Sequence, residues 1–114
     1  MNLTEATLTR AKMTEANLTG ADLSGANLSG ANLTKAILIE AKLVGSDLTE
    51  ANLTGADLSG ADLTNATLQD VKLREAKISV TTLLEGVQMD QATRAQVLLA
   101  QQSKNEDPGS LLPK

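Results

Sequence analysis

A five-residue period runs through most of this 114-residue chain and constrains its fold more than any other feature. Leucine recurs at every fifth position from Leu3 to Leu83, with two apolar replacements. Alanine recurs every five residues from Ala6 to Ala76, two positions before the leucine, with Ser46 and Val71 as its only replacements. This period fits neither an α-helix, which repeats every ~3.6 residues, nor a flat strand, which alternates every ~2. The sequence therefore predicts a repeat architecture.

Each repeat places one alanine and one leucine on the inside, with a single outward residue between them. That pattern fits a short strand followed by a corner, and strands of successive coils would stack at about 4.8 Å with their backbone amides paired. Such a chain winds into a solenoid in which each unit contacts mainly its neighbours. Glycine ends six repeats, but Glu5, Lys35, Glu40 and Glu50 end others. We therefore expect that a positive φ is not required at every corner.

The consecutive units 16–20, 21–25 and 26–30 resemble the A(D/N)LXX motif of the pentapeptide-repeat family. The resemblance covers residues 1–85, and the chain is similar to short cyanobacterial members of this family. It implies an all-β solenoid, namely a right-handed quadrilateral parallel β-helix with four repeats per coil and about four coils. With four repeats per coil, one side is expected to stack Leu3, Leu23, Leu43, Leu63 and Leu83.

The repeat decays after residue 85, and residues 86–102 are predicted to form a short C-terminal α-helical cap. Asp90 is the candidate N-cap. An apolar stripe follows at helical spacing and consists of Ala92, Ala95, Leu98 and Leu99. This stripe predicts either a lid over the last coil or a dimerisation helix. No comparable cap precedes Leu3, so a homodimer through the first coil is a further alternative. Residues 103–114 are predicted to be a mobile tail.

Composition argues against catalysis. The chain contains no His, no Cys and no aromatic residue, so acid–base chemistry would depend on exposed carboxylates and lysines. We therefore expect no enzyme activity, no cofactor and no metal site. A net charge of −4 without a basic cluster predicts no direct nucleic-acid binding. No signal peptide and no membrane-spanning apolar run are visible, which predicts a cytoplasmic location and no membrane contact.

Two groups of outward residues are the candidate contact sites. Ile37, Ile39 and Val44 stand where polar residues normally occur, and they form a candidate contact patch for a protein partner. A second group is predicted to gather acid on the second side: Asp47, Glu50 and Asp70.

The function favoured by these observations is a non-enzymatic structural or protein-binding scaffold. The alternative, which comes from the family resemblance, is a DNA-mimicking modulator of DNA gyrase. Mimicry needs continuous acidic faces, and the first side instead mixes charges along the column Asn2, Asp22, Lys42 and Asp62.

Overall fold

Parallel bridges between residues twenty positions apart define the coils of this structure, a computed structural model that describes residues 2–105. Asn2 pairs with Asp22, and Asp22 pairs in turn with Lys42. Each coil therefore holds four repeats and has four sides, which confirms the quadrilateral parallel β-helix. We number the sides in chain order, so that residues 2–4, 7–9, 12–14 and 17–19 begin sides one to four.

Most strands are single bridges, because only three residues separate one corner from the next. Two-residue strands occur at β1 (Thr67–Leu68) and β2 (Gln88–Met89), which pair in parallel. The remaining element is the helix α1 (Gln91–Asn105).

Leucine fills the interior of the coils. All the leucines from Leu23 to Leu63 that end the inward pairs are at most 1% exposed. The coils are joined by backbone hydrogen bonds on each side: Leu23 N donates to Lys42 O at 2.6 Å, and Lys42 N donates to Ala21 O at 2.8 Å. Burial of each leucine contributes about 1.5–3 kcal/mol. In the first coil the inward residues Leu3, Leu8 and Met13 are only partly buried.

Every regular corner from residue 5 to residue 75 has a positive φ, so the expectation that some corners would avoid it is wrong. Glu50 has a φ of 63°, close to the 68° of Gly45. The reason is the turn itself: Ala51 N donates to Leu48 O at 2.9 Å, which closes a β-turn whose third residue lies in the left-handed region. Non-glycine residues adopt this conformation at a cost of about 1–3 kcal/mol each when the surrounding structure imposes it. The turn, held in place by the stacked coils, therefore sets the positive φ of the corner residue.

Glycine at a corner also makes room for the side chain of the preceding coil. A Cβ added to Gly55 would lie 3.2 Å from Cγ of Lys35, and one added to Gly30 would lie 3.1 Å from Cγ of Arg10. At Gly45 nothing lies within 4 Å of the added atom. The long side chains of one coil are thus accommodated by glycines in the next.

The regular winding breaks at Val80, which occupies a corner position. Val80 does not have a positive φ, and the turn slides by one residue, so that Thr82 N donates to Ser79 O at 3.1 Å. A β-branched side chain is strongly hindered in the left-handed region, which explains the slide. Asp62 consequently pairs with Leu83, twenty-one positions along the chain.

This slide makes the predicted place of Leu83 wrong. Leu83 stands in the outward bridge position and is 53% exposed, whereas Leu84 packs against the core. Thr82 takes the inward position of an alanine, and its buried hydroxyl donates to Leu58 O at 2.7 Å. A shift of one residue moves each strand residue to the opposite face. The spacing of five therefore persists in the sequence beyond the point where it describes the structure.

Helix α1 follows Asp90, whose carbonyl accepts from Arg94 N at 2.9 Å, and the predicted N-cap is confirmed. The helix packs on the last coil through a different face from the predicted stripe. Thr93 and Val97 are buried, with Gln96 and Ala100 partly buried beside them.

The predicted stripe is exposed, so the lid interpretation is wrong for its four residues: Ala92, Ala95, Leu98 and Leu99. The dimerisation interpretation stays a prediction.

Polar residues face inward on α1 because the last coil ends in an open backbone edge on side three. Leu73 N donates to Gln96 Oε1 at 2.8 Å, and Gln96 Nε2 donates to Val71 O at 3.0 Å. The amide of Val71 donates to Thr93 Oγ1 at 3.4 Å. The Gln96 carboxamide thus supplies the donor and the acceptor that a residue of a further coil would supply.

The helix extends to Asn105, so residues 103–105 of the predicted tail are helical. The rest of that predicted tail, residues 106–114, lies outside the described residues.

Candidate functional site

The outer faces are organised by short turns in which the Asn or Asp before a leucine accepts hydrogen bonds. Asn52 Oδ1 accepts from the Thr54 amide at 3.1 Å and from the Thr54 hydroxyl at 2.6 Å. This side chain-to-amide bond recurs in nine of the described repeats, with acceptors at Asn2, Asn17, Asp22, Asn27, Asn32, Asp47, Asn52, Asp57 and Asp62. The sequence contains a signal for these turns, namely Asn or Asp followed two residues later by Thr or Ser, but the turns were not predicted.

These turns assign the outward carboxylates to local structure. The hydroxyl and then the backbone amide of Ser24 hydrogen-bond the ionised carboxylate of Asp22 and lower its pKa, and the charge of Lys42 acts in the same direction. A carboxyl group that acts as a general acid or base needs the opposite change, a pKa raised toward neutral pH.

The candidate contact patch interrupts these turns. Ile37 bridges Asn17 below and Asp57 above, so the backbone pairing of side four is unchanged. Ile39 follows on the same side, and Val44 lies past the next corner on side one. All three side chains are partly buried. The three residues thus lie on two adjacent sides of the coils, with their apolar groups half accessible.

The acidic patch forms part of a column of carboxylates that is longer than the predicted group of three residues. Glu50 and Asp70 are exposed at successive levels of one corner, while Asp47 is half-buried and accepts from the Thr49 amide. Asp70 N donates to Asp90 Oδ1 at 3.1 Å, which places a further carboxylate at the top of the column.

Asp90 follows Asp70 by twenty residues, the spacing of one coil, so the sequence itself contained the signal for this longer column. The hydroxyl of Thr93, and then the Asp70 amide, lower the pKa of Asp90 by hydrogen-bonding its ionised form.

The exposed face of α1 presents the largest apolar side chains of the cap. Leu98 is 56% exposed and Leu99 is 66% exposed. Val80 and Leu83, which the slide turns outward, are the other large exposed apolar residues in the described part of the chain.

Two adjoining clefts lie where α1 overhangs side three. The apolar cleft has a volume of about 250 Å³ and is lined by Leu73, Arg74, Glu75, Ala76, Gln96, Leu99 and Ala100. The donor cleft has a volume of about 450 Å³ and is lined by Asn52, Thr54, Lys72, Arg74 and Gln96. Arg74 and Gln96 border both clefts, so the two lie next to each other. Both clefts depend on which face of α1 packs inward, and the sequence predicted a different face.

Residues 2–105 contain no group of three or more Asp and Glu side chains that could hold a metal ion. Over the same described span, no helix has both the length and the apolarity needed to cross a membrane.

Comparison with known proteins agrees with the coil geometry. The family model for pentapeptide repeats matches in eight copies over residues 2–38 and 41–79, which is more than half of the chain. A search of curated proteins finds no match.

The solved structures that are similar to this chain include two pentapeptide repeat proteins. The pentapeptide repeat protein Rfr23 from the cyanobacterium Cyanothece 51142 is 39% identical, with a TM-score of 0.66 over 79% of this chain and 57% of its own. This chain thus spans little more than half of Rfr23. The pentapeptide repeat protein alr5209 from Nostoc Pcc 7120 is 33% identical, with a TM-score of 0.57 over 74% of this chain and 84% of its own. These neighbours are right-handed β-helices, which confirms the predicted fold class.

Proposed function

The chain belongs to the pentapeptide-repeat family, and we propose that it is a non-enzymatic scaffold that binds a protein partner through its outer surface. The filled leucine interior leaves the outside of the coils as the surface on which another molecule can be recognised. Side chains on that surface are held by repeated turns, and such a pre-ordered surface loses little conformational entropy on binding.

The observation that carries the proposal is the apolar interruption at Ile37, Ile39 and Val44. Nine repeats keep the Asn/Asp turn, whereas these positions replace it with apolar side chains while the backbone bridges continue unchanged. The coils therefore do not need these apolar groups for their pairing. Partly exposed apolar side chains next to one another are a common feature of contact surfaces.

The test compares Ile39→Lys with Gln69→Lys, which adds the same charge at the equivalent position of side two. Both variants and the wild type would be immobilised and incubated with a lysate of Nostoc, and bound proteins would be quantified. We expect one set of proteins to bind the wild type and Gln69→Lys, and to be lost with Ile39→Lys. Equal capture by all three proteins would contradict a contact role for the patch.

The alternative, a DNA-mimicking modulator of DNA gyrase, is supported by the acidic column at Glu50, Asp70 and Asp90. A supercoiling assay with and without a fluoroquinolone tests it. Inhibition or drug protection at low micromolar protein, reversed by Glu50→Lys, would favour mimicry over the scaffold. No effect at high concentration would remove this alternative.

A further inference from the structure

The polar groups that face the donor cleft are almost entirely hydrogen-bond donors. The acceptor oxygen of Asn52 is engaged by Thr54, so the group that the Asn52 side chain has left for a ligand is its Nδ2 donor. Gln96 accepts from Leu73 N and donates to Val71 O, so it borders the cleft but adds no donor to it. Lys72 and Arg74 add two cationic groups. Such a donor set matches an anion and, through the planar guanidinium, a carboxylate in particular.

Side three also lacks the carboxylates that the other sides carry next to their leucines. Its outward bridge positions are Lys12, Asn32, Asn52 and Lys72, whereas each other side has at least one Asp in the corresponding column. The bridge positions of side three therefore present amides and cations, whereas its flanking corners carry the carboxylates Glu50, Asp70 and Glu75.

The adjoining apolar cleft adds a second requirement for a ligand, namely an apolar group. Leu73 and Ala76 form its buried base, and Leu99 rises beside it with 66% of its surface exposed. Glu75 is the one carboxylate among the described residues that line this cleft, and it directs a ligand's negative charge away from the cleft and toward Lys72. An apolar group fits here and an anionic group fits next to it.

We propose that these two clefts together bind a partner protein segment that presents a carboxylate directly beside an apolar side chain. The apolar side chain lies against Leu73, Ala76 and Leu99, and the carboxylate lies against Asn52, Lys72 and Arg74. The charges of Lys72 and Arg74 complement a carboxylate, and the apolar cleft adjoins them at Arg74. This inference rests on the proposed scaffold function and names the chemistry of one partner segment, at a surface separate from Ile39.

The experiment is an NMR titration of the full ¹⁵N-labelled chain with the probe peptide acetyl-Ser-Glu-Leu-Ser-amide. Two matched peptides replace Glu by Gln or Leu by Ala. We expect saturable shifts at the amides of Leu73, Arg74, Ala76 and Ala100. The loss of one charge-assisted hydrogen bond should weaken binding of the Gln peptide by about tenfold. The Ala peptide should also bind several-fold more weakly, since it loses the apolar contact.

Protein variants locate the site. Lys72→Gln and Arg74→Gln should each weaken binding of the Glu-Leu peptide, and Leu99→Ala should weaken it without changing the Glu-to-Gln discrimination. Lys12→Gln removes a cation from the same column of side three, three coils away, and should leave the affinity unchanged. Thermal unfolding of each variant controls for loss of the fold.

Three results would overturn the proposal: shifts located elsewhere on the chain, equal binding of the Glu and Gln peptides, or equal binding by Lys72→Gln and Lys12→Gln. Displacement of the peptide by an oligothymidylate at the same amides would assign the cleft to nucleic acid and would also overturn it. A failed titration while Ile39→Lys still abolishes partner capture removes this site only. Failure of both removes the scaffold function itself.

Discussion

The coils and the C-terminal cap satisfy the same backbone groups in different ways. In the coils, the strand edge of one turn of the solenoid is paired by the backbone of the next, as Leu53 N donates to Lys72 O at 2.8 Å. At the cap, Leu73 N donates instead to the side chain of Gln96 at 2.8 Å. Backbone pairing leaves the outward residues free to vary, whereas side-chain pairing requires a specific residue at a specific place. The coils should therefore depend on apolar volume, and the cap on individual polar groups.

The largest expected effect is in the coils. Leu43→Ala removes a side chain that is fully buried between stacked coils and leaves a cavity, which should lower the free energy of unfolding by about 2–5 kcal/mol. Leu98→Ala is the control, because Leu98 is 56% exposed and its truncation should change stability by less than about 0.5 kcal/mol. Urea unfolding of both variants measures the difference. Equal losses would contradict the placement of Leu43 in the core and of Leu98 on the surface.

The cap should lose stability when an inward polar side chain is replaced by an apolar one of nearly the same volume. Gln96→Leu leaves Leu73 N and Val71 O without their partners and should cost about 1–3 kcal/mol. Gln91→Leu, at an exposed position of the same helix, is the matched control. Hydrogen exchange at the Leu73 amide should accelerate only in Gln96→Leu. Unchanged exchange would refute the role of this carboxamide as a substitute for backbone.

Two buried hydroxyls should respond in opposite directions. Ser46 replaces an inward alanine of the coils, and its buried Oγ has no hydrogen-bond partner in the described structure, so Ser46→Ala should stabilise the protein by about 1 kcal/mol. Thr82 occupies the comparable position near the cap and donates to Leu58 O, so Thr82→Val should destabilise it by about 1 kcal/mol. Thermal unfolding gives both signs. Destabilisation by Ser46→Ala would mean that the hydroxyl has a partner.

The smallest effect is a pH dependence of the cap. Hydrogen bonds lower the pKa of Asp90 in the folded protein below its value in the unfolded chain, about 3.9. Its contribution to stability is therefore complete above that value and is lost as the pH falls through the lower, folded pKa. Far-UV circular dichroism should show helix loss in this acidic range, and Asp90→Asn should reduce that pH dependence. Asp22→Asn, far from the helix, should retain it.

The five-residue period was sufficient to predict the coils because each repeat meets the same neighbours. The pairing of residues twenty apart, the buried leucine columns up to Leu63 and the N-cap at Asp90 agree with expectations drawn from residue type and family resemblance. The corner conformation was not predictable from glycine content. The turn geometry imposes a positive φ on Glu50 as it does on Gly45.

The sequence by itself determined the solenoid, the core side chains of the regular coils and the presence of a terminal helix, since these follow from local periodicity. Tertiary structure alone decided which face of that helix packs inward. Hydropathy favours Leu98 and Leu99, but the open edge at Val71 and Leu73 needs donors and acceptors, which only Thr93 and Gln96 supply at the right places. The clefts beside α1 follow from that choice. A buried backbone edge requires hydrogen-bond partners, and this requirement prevails over the apolar area of an exposed helix face.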